Sequence, residues 1–329
     1  MKVELPEQLK SDVPPTKWGK ILAATPVVMA VVATMLAGLS SSEMTRAQYD
    51  RSLAAQQQSK AGDQWSFFQA KRQRGALQRN SLDVLQHLAQ VRPLTVEGLS
   101  RVAGPPPAGT DQADLAKARA ELRAALGSPP GIHALLCLER GTVPQVKPPP
   151  PRDANLTAAL EAVESLKPES EIASLLARVN NQVLEDAIRA ARDHAQAFDT
   201  NARPVNQAIG QFESLLDRLS ASAAAPGASI SRDFTAARLR YAAERYEVEG
   251  RLNQAIAYLY ELQVRKSNLS AERHHNRSQR FFYGMLAAQL GVIVSTFAMA
   301  ARKRNMLWAI AAAAGLLAIA FAVYVYLWV

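Results

Sequence analysis

Three uninterrupted apolar segments constrain this chain more than any other feature of its sequence. Residues 21–39, 281–301 and 306–329 contain no Asp, Glu, Lys, Arg or His. Each segment has close to the roughly 20 helical residues that cross a hydrocarbon core of about 30 Å. About 240 mostly polar residues separate the first segment from the second. We therefore expect three transmembrane helices joined to a long extramembrane region.

The extramembrane region has the composition of long helices. It is rich in Ala, Gln, Arg, Glu and Leu and poor in β-branched and aromatic residues, which is typical of coiled coils. The single cysteine, Cys137, excludes an internal disulfide and a cysteine-based metal cluster. The net charge of +9 is better explained by Lys and Arg near membrane segments than by nucleic acid binding, because Glu and Asp alternate with the cations. The expected fold class is all-α.

Positively charged residues beside the apolar segments predict the orientation of the chain. Cations in short flanks stay in the cytoplasm, whereas long loops cross the membrane largely regardless of charge. Lysines precede the first segment, and the turn between the last two is Arg302-Lys303-Arg304-Asn305. We therefore expect a cytoplasmic N-terminus with residues 40–280 on the outer side, although basic residues also precede the second segment. The lysines are Lys2, Lys10, Lys17 and Lys20, and the opposing residues are Arg265, Lys266, Arg273, Arg277 and Arg280.

A cleaved signal peptide is the alternative interpretation of the first segment. Cations precede it, and the small residues Ala37, Gly38 and Ser40 stand at its end. The apolar core of a cleaved signal is typically about 7–15 residues long, and the segment here is longer. Its length favours an uncleaved anchor.

Small residues recur at four-residue spacing in all three apolar segments. Such stripes allow helix backbones to approach closely in lipid, although the abundance of Ala explains any single stripe equally well. The stripes are Ala30, Thr34 and Gly38; Gly284 and Ala288; Ala311 and Gly315; and Ala314, Ala318 and Ala322.

The positions of the apolar segments and of the prolines divide the chain into eight parts. These are a cytoplasmic N-terminal segment (1–20), transmembrane helix 1 (21–39), an ascending stalk helix (40–90), a Pro-interrupted helical middle region (91–230), a descending stalk helix (231–280), transmembrane helix 2 (281–301), a cytoplasmic turn (302–305) and transmembrane helix 3 (306–329).

The two stalk helices are of equal length, about 50 residues or roughly 75 Å at 1.5 Å per residue. Because one leaves the membrane and the other returns to it, we expect them to pack antiparallel, with facing residue numbers that add to about 320. Trp65 is then expected beside Ala255 and Phe68 beside Leu252. Two further pairs follow from the same register, Leu53 with Lys266 and Leu77 with residues 241–243.

The middle region is predicted to contain short helices between proline clusters. The expected helices are Asp111–Leu126 with Thr110 as its cap, about 154–166, about 169–200, and a fourth from Pro204 to about Ser222. The run Pro148–Pro151 is expected to be an extended spacer.

The descending stalk helix carries apolar residues at alternating four- and three-residue spacing, which is the pattern of a coiled coil. Arg238, Arg245 and Lys266 interrupt this pattern, so we expect it to pack against more than one partner. The apolar positions are Val248, Leu252, Ala255, Leu259 and Leu262, with Phe234, Tyr241 and Leu269 in the same frame.

The sequence carries no catalytic signature. The adjacent His274 and His275 point about 100° apart on a helix of 3.6 residues per turn, so they cannot both bind one metal ion. There is no phosphate-binding glycine loop, no HExxH motif and no recognisable Ser-His-Asp set. We therefore expect no enzyme, no cofactor, no metal and no small-molecule substrate.

One aromatic motif on the ascending helix is a candidate site for helix packing or partner binding. In the run from Asp63 to Lys71, the residues Trp65, Phe68 and Gln69 share one helical face, and Arg72 follows one turn later. A Trp side chain buries a large area with few rotatable bonds and makes a good anchor. The candidate residues are Trp65, Phe68, Gln69 and Arg72 on this helix and Val248, Leu252, Leu259 and Leu262 on the descending one.

These features resemble an uncharacterised bacterial membrane coiled-coil family, the domain of unknown function 4337. The resemblance lies in an apolar anchor, the Trp65-x-x-x-Gln69-Ala70-Lys71 motif and a C-terminal two-span hairpin. It covers the two ends of the chain, and residues 91–230 look like an enlargement of the family pattern. The motifs at the C-terminal end are Arg273-His274-His275, Phe281-Phe282-Tyr283, Arg302-Lys303-Arg304 and Leu307-Trp308. The resemblance implies a bacterial inner-membrane setting and this architecture, and it implies no activity.

The function expected from the sequence is that of a non-enzymatic, membrane-anchored helical scaffold or accessory subunit. Its expected partners are the lipid bilayer and either a second copy of itself or another membrane protein, with no nucleic acid. The alternative is an oligomeric pore or mechanosensing element that uses the hairpin of residues 281–329.

Overall fold

The computed structural model describes residues 17–104, 113–220, 227–300 and 304–328. The chain is all-α, and the described ranges contain no β-strand. Residues 1–16, Thr110 and residues 301–303 of the predicted turn lie outside these ranges, as do the side chains of Trp18 and Trp328. The helices are α1 (Lys17–Leu88), α2 (Val96–Val102), α3 (Ala113–Gly127), α4 (Pro129–Arg140), α5 (Ala154–Glu164), α6 (Glu169–Leu176), α7 (Asn181–Ser220), α8 (Gly227–Ala300) and α9 (Arg304–Trp328).

The chain forms two compact units. Unit 1 comprises Met1–Gln56 and Val264–Val329, and unit 2 comprises Gln57–Gln263. The long helices α1 and α8 each contribute one part to each unit. Three helices, α1, α8 and α9, are long and apolar enough to cross a membrane, as the hydropathy pattern predicts.

Unit 1 packs the apolar parts of α1, α8 and α9 against one another. The interior of this unit is apolar, and Ala288 and Ala318 are among its most deeply buried residues. Beyond the apolar core, the Ser40 and Ser278 hydroxyls lie 3.2 Å apart, and each also donates to the backbone carbonyl of the other residue. Three residues later on α1, Glu43 contacts His274, which lies four residues before Ser278 on α8, so the two helices run antiparallel in this unit. The core residues are Ala33, Leu36, Phe281, Ala288, Ala318 and Val325.

In unit 2 the remaining parts of α1 and α8 also pack antiparallel, close to the predicted register, although Trp65 meets Tyr258, three residues beyond the expected Ala255. The rings of Trp65 and Tyr258 are 5.1 Å apart, and Lys71 pairs with Glu249. In both pairs the residue numbers add to about 320. Leu77 was expected to face residues 241–243, but it does not lie in this contact, because its side chain is 61% exposed.

The second face of α8 in unit 2 packs against α7. The Tyr241 hydroxyl donates to Asn206 Oδ1 over 2.9 Å, and Arg238 pairs with Glu213 over 3.2 Å. This explains why the apolar stripe of α8 is interrupted by arginines: the helix is contacted by α1 on one side and by α7 on another. Side chains of α2, α3, α4, α7 and α8 form a hydrophobic core that includes Tyr241. Its large buried members are Leu99, Leu122, Leu138, Phe212 and Phe234.

Two predicted boundaries in the middle region are wrong. The predicted helix 169–200 is interrupted, because α6 ends at Leu176 and α7 begins at Asn181. In the intervening turn Val179 is buried, and the Asn180 side chain accepts a hydrogen bond from the Gln182 N–H over 3.1 Å. The helix is therefore interrupted at Val179 and Asn180, where the valine side chain is buried and the asparagine side chain caps α7.

The second correction concerns Pro204, which was expected to begin a separate helix. Instead α7 continues through it from Asn181 to Ser220. A proline inside a helix removes one hydrogen bond and costs about 3 kcal/mol. The exposed Pro204 is tolerated because buried residues on either side of it, Ala202 and Val205 among them, hold the amphipathic face against the core.

Candidate helix-packing site

Trp65 is the centre of the contact between α1 and α8 in unit 2. Its indole Nε1 donates to Glu261 Oε1 over 2.7 Å. Its ring meets Tyr258 at 5.1 Å and Phe68 at 5.5 Å, both edge to face. Edge-to-face pairs add about 0.5–1.5 kcal/mol to the effect of area burial, and the hydrogen bond satisfies the indole N–H. Trp65 therefore joins the two helices of its own chain.

Ion pairs continue this contact along the two helices. Lys71 pairs with Glu249, and Arg79 pairs with Glu247. Glu247 also pairs with Arg251 on its own helix, so one carboxylate serves two guanidinium groups. Lys71 and Glu249 are half-buried, whereas Arg79 is exposed. Ion pairs that remain accessible to solvent contribute about 0–1 kcal/mol each, and their main effect is to fix which residues face each other.

A groove of about 310 Å³ lies between the ion pairs. The absence of side chains at Gly75 and Gly250 opens it, and the rings of Phe68 and Tyr246 form part of its wall. Its charged lining consists of one carboxylate, Glu247, and four cations, so the lining has a net charge of +3. The cations are Lys71, Arg72, Arg79 and Arg251.

The eight predicted site residues fall into three classes of exposure. Leu259 and Leu262 are fully buried. Trp65, Phe68, Val248 and Leu252 are half-buried, whereas Gln69 and Arg72 are exposed. The guanidinium of Arg72 lies 6.0 Å from the Phe68 ring centroid. The structure therefore brings Trp65 and Phe68 to the helix contact and leaves Gln69 and Arg72 at its solvent side.

The acidic partners of this contact were missed by the sequence analysis. Glu247, Glu249 and Glu261 stand between the apolar positions of the descending helix and were not among the predicted site residues. The antiparallel register itself could have found one of them, because it places Lys71 opposite Glu249.

Unit 1 has its own close-packed contact, made by Met29. A methyl group added at Gly291 would lie 2.1 Å from Met29 Cε, and one added at Gly315 would lie 2.3 Å from Met29 Sδ. The Met29 side chain thus fills a space that α8 and α9 leave by having glycine there. The added methyl group at Gly291 would also lie 3.5 Å from the Ala311 carbonyl oxygen, so the backbones of α8 and α9 approach closely there, as small residues allow in lipid.

The small-residue stripes differ in where they lie. Ala288, Ala311 and Ala318 are completely or almost completely buried. The stripe of Ala30, Thr34 and Gly38 on α1 is exposed instead. Large apolar side chains are also exposed in all three span-length parts, among them Val27, Met35, Leu290, Phe297, Leu316 and Leu317. Unit 1 therefore buries both small and large apolar residues in its interior and exposes further large apolar residues on its exterior.

A polar cluster adjoins the apolar core of unit 1. His274 Nδ1 lies 2.5 Å from Glu43 Oε2, and Arg46 approaches Glu43 Oε1 at 3.3 Å. Burial lowers the pKa of Lys266, and the nearby charge of Arg273 lowers it further. His275 lies against Gln279 at 3.1 Å. The two adjacent histidines thus have different neighbours.

Two titratable groups of unit 2 are perturbed by burial. Burial raises the pKa of the Tyr241 hydroxyl well above its ordinary range. Burial also raises the pKa of the Cys137 thiol, with a smaller opposing effect of Arg140. A thiol with a raised pKa is a poor nucleophile at neutral pH, so Cys137 acts here as an apolar filler. Within the described ranges, no group of three His, Cys, Asp or Glu is placed to hold a metal ion.

Comparison with known proteins supports the resemblance at one end of the chain. A family model described as Domain of unknown function (DUF4337) matches residues 18–103, about a quarter of the sequence. This range contains the first apolar segment and the Trp65 motif, whereas the expected likeness at the C-terminal end is not confirmed. No curated protein and no solved structure matches the chain.

Proposed function

We propose that this chain is a non-enzymatic, membrane-anchored helical scaffold or accessory subunit of a bacterial inner-membrane assembly, acting by helix–helix association. The observation that carries the proposal is the arrangement of unit 1. Met29 packs between two glycines in the interior, while Leu290, Leu316 and other large apolar side chains face outward. A large apolar exterior around a packed apolar interior is suited to lipid and unsuited to water.

The proposed orientation has the N-terminus in the cytoplasm and residues 40–280 on the outer side. The support is the charge of the short flanks, namely the lysines before the first span and the Arg302-Lys303-Arg304 turn. In this orientation unit 2 is extracytoplasmic. The bacterial setting is proposed from the sequence resemblance described above; the family model itself matches the N-terminal quarter of the chain.

An exposed apolar stripe on α1 supports association with another helix. Leu77, Val84 and Leu88 are 61%, 56% and 81% exposed. Their spacing of seven and four residues places them on one helical face, as in a coiled-coil seam. The contact with α8 uses other residues of α1, so this face is available to a second copy or to another protein.

Mutation of this stripe tests the proposal. The full chain is purified in mild detergent, its mass is measured by light scattering, and co-purifying proteins are identified. We expect a mass above that of one chain or a stoichiometric partner, and we expect Leu77→Glu with Val84→Glu to abolish it. Phe67→Glu is the matched control, because Phe67 is 54% exposed on a different face of α1. A monomer that binds no protein would contradict the proposal.

An oligomeric pore built from the hairpin of residues 281–329 is the second candidate. It is favoured by two polar residues, Gln289 and Thr296, which are exposed seven residues apart on one face of α8. Polar side chains on the lipid side of a span tend to face a neighbouring copy or a water-filled path. Single-channel recording of the purified oligomer separates the candidates, since a scaffold gives no conductance and a pore gives discrete steps.

A further inference from the structure

Leu166 presents a large apolar side chain to solvent from an unfavourable backbone conformation. It follows α5 with φ 53°, which makes it the one non-glycine residue with positive φ in the described ranges. Its side chain is 90% exposed. A single exposed leucine needs no explanation, but a bulky residue in the left-handed region is a true outlier.

The local hydrogen bonds do not require leucine at this position. The N–H of Leu166 donates to Val163 over 3.1 Å, and the N–H of Lys167 donates to Ala162 over 2.9 Å. This is the Schellman ending of a helix, in which glycine is the usual left-handed residue. The same chain uses Gly141 with φ 64° at the end of α4. Leucine at position 166 therefore gains nothing from the backbone and, being exposed, nothing from packing within the chain.

Acidic residues surround this exposed leucine. The α5–α6 turn and its flanks carry four glutamates and one lysine, which gives a net charge of −3. Lys167 is paired with Glu171 over 2.6 Å. The glutamates are Glu161, Glu164, Glu169 and Glu171, and all four are exposed. We call residues 161–171 the acidic Leu166 turn.

The groove between α1 and α8 has the complementary character. Its lining carries four cations and one carboxylate, and the adjoining Glu249 pairs with Lys71, so these six groups have a net charge of +2; the rings of Phe68 and Tyr246 supply apolar surface. At about 310 Å³ it is large enough for a leucine side chain. In its own chain the acidic Leu166 turn does not occupy the groove, because Leu166 is 90% exposed.

We propose that the acidic Leu166 turn of one copy docks in this groove of a second copy of the chain. Leu166 inserts beside Phe68 and Tyr246, and the glutamates of the turn face Arg72 and the other groove cations. The inference rests on the self-association that forms part of the proposed function, and it assigns that association a second, specific contact. Because turn and groove are different surfaces, the contact is either reciprocated in a closed dimer or repeated along a chain of copies.

Substitution of Leu166 by glycine separates docking from folding. Leu166→Gly relieves the left-handed conformation and removes the side chain, so the unfolding midpoint of the full chain should rise while the dissociation constant for self-association rises at least tenfold. If Leu166 had only a local structural role, the substitution would raise the unfolding midpoint and leave the dissociation constant for self-association unchanged. Leu166→Asn is the second variant, because asparagine tolerates this conformation and also lacks the apolar side chain.

Charge exchange tests the identity of the partner. Arg72→Glu should weaken self-association, and Glu164→Arg should weaken it too. When both changes are combined, association should be restored at least in part, because the opposite charges face each other again. Mixed chains carrying either Leu166→Cys or Arg72→Cys should form a disulfide between copies.

The outcomes distinguish this inference from the proposed function. If Leu166→Gly associates as tightly as the wild type while the Leu77 and Val84 changes abolish association, the docking inference is wrong and the scaffold proposal stands. A cross-link from Leu166→Cys to a different protein also overturns the docking inference. If the wild-type chain is a monomer without a partner, both the docking inference and the scaffold proposal are wrong.

Discussion

The indole Nε1 of Trp65 donates a hydrogen bond to the Glu261 carboxylate 2.7 Å away, joining α1 to α8 within unit 2. The two residues are 196 positions apart in the sequence. Their contact shows how the chain uses its most characteristic motif: a tryptophan anchors one long helix to another, and an acidic side chain on the opposite helix fixes the register.

Removal of the Trp65 side chain should destabilise unit 2. Full truncation of a buried Trp costs about 3–5 kcal/mol, and we expect about 2 kcal/mol for Trp65→Ala because the ring is half-buried. The measurement is the urea midpoint of the full chain in mild detergent, with unfolding monitored by the helical circular dichroism signal. Phe67→Ala is the control, since Phe67 is on the same helix and exposed, and it should change stability by less than about 0.5 kcal/mol. Equal effects of the two changes would contradict the anchor role of Trp65.

Alanine should be accepted at Gly75, although the two helices meet there. A methyl group at Gly75 would lie 3.5 Å from Tyr246 Cβ and 3.6 Å from the Ala243 carbonyl oxygen, which is ordinary contact. Alanine in a helix interior is more favourable than glycine by about 1 kcal/mol, so Gly75→Ala should raise the urea midpoint. Gly62→Ala is the control, because nothing lies within 4 Å of its added methyl group. A loss of stability in Gly75→Ala alone would mean that the helices approach more closely than the structure shows.

The packing of the three spans should depend on Gly315. Gly315→Leu should force Met29 out of its place, since even a methyl group there lies 2.3 Å from Met29 Sδ. Gly38→Leu is the control, because its added methyl group has no neighbour within 4 Å. The measurement is the rate of disulfide formation in membranes between Ser40→Cys and Ser278→Cys, whose hydroxyl oxygens are 3.2 Å apart. We expect Gly315→Leu to slow it several-fold; an unchanged rate would count against the Met29 contact.

Stability should fall at alkaline pH because of Tyr241. Burial raises the pKa of its hydroxyl, with Arg245 opposing this in part, so the folded chain keeps a proton that the unfolded chain releases near pH 10. The stabilisation is fully present below about pH 10 and is lost as the pH rises further. Tyr241→Phe should cost about 1 kcal/mol at neutral pH, because Asn206 loses its hydrogen-bond donor.

The same variant should show a shallower decline of the urea midpoint between pH 9 and 11. Tyr49→Phe is the control, because the Tyr49 ring is 67% exposed, and it should leave the decline unchanged. A decline in Tyr241→Phe as steep as in the wild type would assign the alkaline loss to other groups.

Much of the fold could be predicted from the sequence because the strongest signals are physical constraints. The apolar lengths required three span-length helices, and the equal lengths of the helical segments 40–90 and 231–280 predicted the antiparallel register that places Lys71 against Glu249. The details of each face could not be predicted this way. Leu77 was expected at the contact, yet it is exposed, because α1 turns Trp65, Phe68 and Gly75 toward α8 instead.

The errors in the middle region arise where tertiary packing outweighs local preference. Pro204 lies inside α7 because the buried residues around it stabilise the helix more than the lost hydrogen bond weakens it. The helix is interrupted at Val179, whose side chain is buried in the turn between α6 and α7. Neither effect is visible in local sequence, since both depend on which residues the fold brings nearby. The cationic groove was missed for the same reason, because its lining comes from two distant helices.

The membrane orientation is tested most directly by labelling of single cysteines with a membrane-impermeant thiol reagent in intact cells. Asp83→Cys lies at an exposed position of α1 in unit 2, and Lys303→Cys lies in the short turn between the last two spans. The buried Cys137 is present in both variants, so wild-type protein measures the background. Our account predicts labelling of Asp83→Cys in intact cells and of Lys303→Cys only after permeabilisation. The reverse pattern, or labelling of both in intact cells, would contradict it.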